Sequence, residues 1–167
     1  ILLAKNNDGY KNLAKLVSLG YTEGFYYKPR IDKETLEQYH ENLICCSACL
    51  AGEVNQAILK NNMEEAKKVA LWFKKLFGED YYLEIQNNGI KEQVLVNQKL
   101  IELSRELDIP LVATNDAHYL KREDAYNHEV LLCIQTGKKM SDEDRMKFET
   151  DELYVNCLLY TSPSPRD

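Results

Sequence analysis

The chain has 167 residues, 44% hydrophobic and 29% charged, the balance of one globular domain or a large piece of one. A formal net charge of −6 argues against a chain whose overall charge grips nucleic-acid phosphates, so any such contact has to be local. No apolar run approaches the roughly 20 residues that cross a bilayer, and the opening ILLAKNNDGY has neither the basic n-region nor the cleavage pattern of a secretory signal.

The first residues lack an initiator methionine and already read as a strand, Ile1 to Ala4, which predicts a piece of a longer protein. Leu13, Leu16 and Val17 then give helical spacing over Gly9 to Leu19. The loop FYYKPR follows, with Pro29 stopping any helix, and Asp32 is placed to cap a short helix over Lys33 to His40. Leu43 to Ser47 reads as a compact apolar strand, and a helix is expected over Val54 to Lys60.

The clearest helix starts at Asn62, with Glu65 three positions on as a capping-box partner. Ala66, Val69, Ala70, Phe73, Leu76 and Phe77 fall on one face of it, and Gly78 ends it. Tyr81 to Gln86 is the next strand and NNG the next turn. A long helix over Lys91 to Leu107 carries a stripe of Val96, Leu100, Leu103 and Leu107. Pro110 opens a strand over Leu111 to Thr114, expected to be buried, and a last helix runs from about Asp124 to Gln135 and stops at Gly137. Strands alternating with helices predict an α/β fold with mainly parallel strands, open sheet or barrel. In either form functional groups collect beyond the carboxyl ends of the strands.

The tail NCLLYTSPSPRD, residues 156–167, has two Ser-Pro steps and no periodicity. It is read as a disordered end or a cloning or sequencing scar.

Five cysteines, Cys45, Cys46, Cys49, Cys133 and Cys157, make an odd count with three crowded together. That is a poor disulfide framework and predicts a reducing, cytoplasmic setting. Cys46-x-x-Cys49 has zinc or redox spacing, but no second pair completes a zinc ribbon, and buried strand cysteines are the plainer reading.

Asp116 and His118 follow the strand Leu111 to Thr114. In extended backbone, residues two apart point to the same side. A carboxylate and an imidazole then share one crevice, a pairing suited to zinc, manganese or iron. Cys49 follows another strand end and would bias such a site toward zinc. Against this stand the plainer roles, Asp116 as a turn cap and His118 as a surface histidine. His128 is expected to pack on its helix with Leu131, Leu132 and Gln135, and His40 to be exposed. Glu84 shares a strand face with Tyr82 and Gln86; it is either an outer-sphere group behind the metals or simply on an exposed face. Lys121, Arg122, Lys138, Lys139, Arg145 and Lys147 form a local basic excess, either a phosphate contact or a solvated face.

LVATNDAHYLKREDAYNHEVLLCIQTGK, with LLAKNNDGYKNL, LVSLGYTEGFYYKPRID, LICCSACLAGEV and YYLEIQNNG in the same order, resembles the PHP domain that opens the alpha subunit of bacterial DNA polymerase III, the C-family replicative polymerases. The resemblance runs from Ile1 to about Val155. It implies a partial distorted (β/α)7 PHP barrel lacking its N-terminal strands, with residues 1–155 as the C-terminal part of the domain and 156–167 outside it. It implies Asp116, His118 and Cys49 as metal ligands, with further ligands, an H-x-H motif among them, upstream of Ile1. Zinc or manganese is the implied metal there, and magnesium in the parent polymerase.

The implied parent is a DNA-directed DNA polymerase of DNA replication whose palm aspartates lie far downstream; its PHP domain is either a metal-dependent 3′–5′ exonuclease or a structural module. DNA, other replisome subunits and a separate proofreading exonuclease are the implied partners, and no membrane. The piece alone is expected to be inactive and poorly soluble. Two other readings share part of the pattern. A stand-alone PHP phosphatase shares D-x-H but not HEVLLCIQTGK and RMKFETDELYV. A purely structural docking module shares the fold and needs no metal.

Overall fold

A computed structural model describes residues 1–155; the expectation for the tail 156–167 falls outside the described residues. Among them are four strands and six α-helices: β1 (Leu2–Ala4), α1 (Asn7–Thr22), α2 (Lys33–Gln38), β2 (Leu43–Cys46), α3 (Glu53–Leu59), α4 (Met63–Phe77), β3 (Tyr81–Gln86), α5 (Lys91–Leu107), β4 (Leu111–Thr114) and α6 (Ala125–Thr136). The strands form one sheet in the order β1-β2-β3-β4. β2 and β3 are parallel, whereas β1 runs antiparallel to β2 with Leu3 opposite Ile44. The expectation of mainly parallel strands therefore fails at this edge. No helix among the described residues is long and apolar enough to cross a membrane.

Two compact units divide the chain, residues 1–84 with 98–112, and residues 85–97 with 113 onward. In the first, side-chain caps start the helices. Asn6 Oδ1 accepts the N–H groups of Asp8 and Gly9, which brings α1 in two residues earlier than its apolar spacing suggested. Asp32 Oδ1 accepts Thr35 N–H, and hydrogen bonding from the Thr35 side chain and then its N–H holds the Asp32 carboxyl below its usual range. Asn62 Oδ1 accepts Glu65 N–H, while the Glu65 carboxylate pairs with Lys68 at 3.6 Å.

The apolar face of α4 goes inward as its spacing requires: Ala66 and Ala70 are fully buried, Val69 and Phe77 nearly so. Phe73 stacks on Tyr81 at 5.4 Å between ring centres. Of the α5 stripe, Val96, Leu100 and Leu103 are buried and Leu107 half-buried. Lys74 Nζ closes the α5 end by donating to the carbonyls of Leu107 and Asp108. His40, expected exposed, is half-buried edge-on against Phe77.

The second unit holds the ends of β3 and β4, the NNG turn, α6 and the segment through 155. β4 is only half-buried, with Ala113 exposed, where its apolar sequence predicted burial. Leu132 and Cys133 turn inward on α6, whereas Leu131, expected on the packed stripe, is 62% exposed.

Candidate functional site

In the first unit the strand end of β2 becomes the loop Ser47–Gly52. Ser47 N–H donates to the Tyr82 carbonyl at 3.0 Å, and Glu84 N–H donates to Ser47 Oγ at 2.8 Å. The next residue, Ala48, is left-handed at φ +65° and donates its N–H to Glu84 Oε2 at 3.2 Å. Asn55, buried on α3, donates from Nδ2 to the carbonyls of Ala48 and Cys49, and Gln56 Nε2 donates to the Leu50 carbonyl. The loop is thus held by amides of α3, with Cys49 half-buried in it.

Glu84 is 2% exposed, which overturns the reading of its strand face as exposed. Along β3, Tyr81 and Leu83 of one face and Glu84 and Gln86 of the other are all buried, so both faces are covered and alternation no longer marks a wet side. The Glu84 carboxylate meets the β2 loop one residue before Cys49. Burial, and then the Glu84 charge, push the Cys46 thiol up; burial lifts Cys45 to about 12. Such thiols are inert at neutral pH, so the plainer reading of this pair as strand cysteines fits, and Cys46 is a poor redox partner for Cys49.

In the second unit Asp116 Oδ1 lies 3.2 Å from His118 Nε2, and both side chains are partly open to solvent. The same-side expectation from spacing is met. The loop that carries them is pinned on both sides. His118 and Tyr119 donate their N–H groups to the Leu153 carbonyl, at 2.7 and 3.3 Å, and Val155 N–H donates to the Tyr119 carbonyl. On the upstream side Asn115 Nδ2 donates to the Tyr154 carbonyl at 2.9 Å and Asn115 Oδ1 accepts from Asn88 Nδ2 at 3.2 Å.

Asn88, 1% exposed, is the centre of this arrangement. Its N–H donates to Gln93 Oε1, its Oδ1 accepts Gln93 Nε2, its Nδ2 also reaches the Glu152 carbonyl, and its own carbonyl accepts Thr150 Oγ1. Sequence reasoning missed Asn88, Gln93, Asn115 and Thr150. The NNG signal marks a turn, and nothing in it distinguishes a solvated amide from a buried one.

His128 packs, as expected, but against the site rather than along its own helix. Its ring is 5.5 Å from His118, 5.5 Å from Tyr119 and stacked on Phe148 at 5.5 Å; His118 is itself 4.9 Å from Phe148. Beside this cluster opens a cavity of about 510 Å3 lined by His128, Glu129, Phe148 and residues 149–152. Half of the expected basic excess is neutralised. Arg122 pairs with Asp151 and Glu152, Arg145 with Glu129 at 2.9 Å, and Lys138 with Asp144 at 2.6 Å.

Cys49 and Glu84 belong to the first unit, Asp116 and His118 to the second. Among the described residues, neither unit alone gathers three His, Cys, Asp or Glu side chains as a metal's ligands. Asp116 and His118 nonetheless fit two positions of a divalent site: one hard oxygen and one imidazole nitrogen converge at 3.2 Å.

Comparison with known proteins bears on this geometry. The chain is 58% identical over 155 residues to the DNA polymerase III subunit alpha of Borreliella burgdorferi, covering 93% of the chain and 14% of that protein. It is 48% identical over 157 residues to the subunit of the same name from Deinococcus radiodurans, covering 94% and 12%. It is 49% identical over 156 residues to that of Treponema pallidum, covering 93% and 13%. The chain therefore spans about one-seventh or less of the length of these curated relatives. A sequence profile for the PHP domain matches residues 1–88, a stretch that includes Cys49, Glu84 and the buried sheet strands around them. The chain belongs to the PHP domain family.

Proposed function

We propose that residues 1–155 are the later part of the PHP domain of a bacterial DNA polymerase III alpha subunit, and that their sheet is part of a distorted (β/α)7 barrel. Identity of 48–58% along more than nine-tenths of the chain to subunits of that name supports the reading. The whole protein then polymerises DNA in replication, with chemistry supplied by residues outside this chain. It works in the cytoplasm among DNA and other replisome subunits, a proofreading exonuclease being one candidate.

For the PHP domain itself we propose a divalent metal centre, zinc or manganese, with Asp116, His118 and Cys49 as ligands and Glu84 as a buried carboxylate behind Cys49. The observation that carries it is the convergence of Asp116 Oδ1 and His118 Nε2 at 3.2 Å on a loop fixed by its neighbours. When bound, such metals polarise a phosphodiester and lower the pKa of a water. This chain's residues supply part of the setting for that chemistry. Asp116 and His118 supply the donor atoms, on a loop held at His118 and Tyr119 by the Leu153 carbonyl. Glu84, anchored by Ala48 N–H, orients the loop of Cys49. The reaction proposed for the complete domain is 3′–5′ phosphodiester hydrolysis.

The test is made in the full-length protein. Asp116→Asn and His118→Ala are each expected to lower bound zinc or manganese, measured by elemental analysis. Each should also cut 3′–5′ hydrolysis of single-stranded DNA by at least about tenfold, with nucleotide incorporation retained. A wild-type protein that binds no metal, or variants that keep full hydrolysis, would leave the domain as a structural docking module.

A further inference from the structure

The first unit carries an aromatic and basic surface that the metal site does not use. Tyr21, Phe25, Tyr26 and Tyr27 are all more than half exposed, and Tyr27 reaches 83%. Exposed rings gathered this way mark a contact surface more often than a solvated one.

The loop that presents them is preorganised. Gly24 lies so close to the Arg30 carbonyl that a Cβ there would collide with it, and Gly24 N–H donates to the Leu19 carbonyl at 3.0 Å. Tyr26 N–H donates across the loop to the Lys28 carbonyl. Between them Tyr27 sits at φ +58°, a left-handed conformation that is costly for a bulky side chain. The Tyr26 ring meets Tyr27 edge-on at 4.6 Å, and the Arg30 guanidinium lies over Tyr26 at 5.5 Å.

Charge decides what such a loop receives. Among the described residues neither Lys28 nor Arg30 has a carboxylate within ion-pair distance; in the other basic cluster Arg122, Lys138 and Arg145 are paired, and Lys121, Lys139 and Lys147, which are not, have no such group of open aromatic rings beside them. Two unneutralised cations beside open tyrosine faces are complementary to a strand that offers phosphates and bases at alternating positions. Stacking of this kind needs no particular base.

We propose that the loop Phe25–Arg30 is a contact surface for single-stranded nucleic acid, with a base stacked on Tyr27 and phosphates met by Lys28 and Arg30. The surface stands independently of the metal centre, since none of these residues is one of its proposed ligands.

The test uses the full 167-residue chain and a fluorescein-labelled oligothymidylate, read by anisotropy at low salt. Tyr27→Ala, and the double variant Lys28→Ala with Arg30→Ala, are each expected to weaken binding by about five- to a hundredfold. Tyr27→Phe should bind like wild type, and so should Lys138→Ala with Lys139→Ala. For two phosphates on a single strand, the log–log salt dependence should have a slope of about −1.4. On the unaltered chain, bromodeoxyuridine cross-linking should mark the peptide that holds Tyr26 and Tyr27.

No binding by the wild-type chain, equal binding by Tyr27→Ala, or cross-links confined to other peptides would overturn the proposal. So would self-association that Tyr27→Ala abolishes while oligothymidylate fails to bind, because the surface would then serve a second copy of the chain.

Discussion

Asn88 shows how one buried amide can set the position of groups far from it in sequence. Its side chain joins Gln93, Asn115 and the Glu152 carbonyl, and its backbone carbonyl takes Thr150. Asn88→Ala leaves a buried amide N–H of Gln93 and the half-buried Oδ1 of Asn115 unpaired, at a cost of about 1–3 kcal/mol. The expected readout is a lower urea midpoint with an unchanged m-value, together with faster hydrogen exchange at His118 and Tyr119. Wild-type exchange at those two amides in the variant would show that their loop holds without Asn88. At this scale the sequence was legible where geometry is periodic: two-residue spacing put Asp116 and His118 together. It was not legible at Glu84, because alternation in a strand covered on both faces reports nothing about solvent.

The elements were legible wherever a long apolar period met a capping signal. α4 and α5 lie where Asn62, Gly78 and the leucine stripe put them, and β3 and β4 have the bounds their flanking turns implied. Pairing direction was not, since the β1 sequence LLA is equally compatible with either neighbour orientation. The shortest elements depend most on close backbone approach. A Cβ at Gly52 would overlap the Ser47 carbonyl, which forces apart the loop that carries Cys49 and receives Glu84. Gly52→Ala is therefore expected to cost about 1–3 kcal/mol in denaturant unfolding. In the full-length protein it should weaken metal binding as well. A stability loss with metal affinity intact would separate the fold of that loop from its proposed ligand role.

At the scale of the whole molecule, family membership was readable from ordered motifs, while the division into two units was not. The boundaries cut through β3, α5 and β4, and continuous periodicity within an element hides such a cut. The second unit is also assembled from separated stretches, and this has a consequence in time. Asp116 and His118 leave the ribosome well before Leu153, whose carbonyl holds both His118 and Tyr119. Translation at about 5–20 residues per second puts roughly 2–7 s between His118 and Leu153. During that interval Asp116 and His118 are present without the carbonyl that holds their loop, so the nascent protein passes through a stage in which the proposed ligand pair is unshaped. Stalled chains ending before Leu153 are expected to be cut by protease near residues 115–119, and chains extended past Val155 to resist. Equal protection in both would show that the loop forms without its later partner.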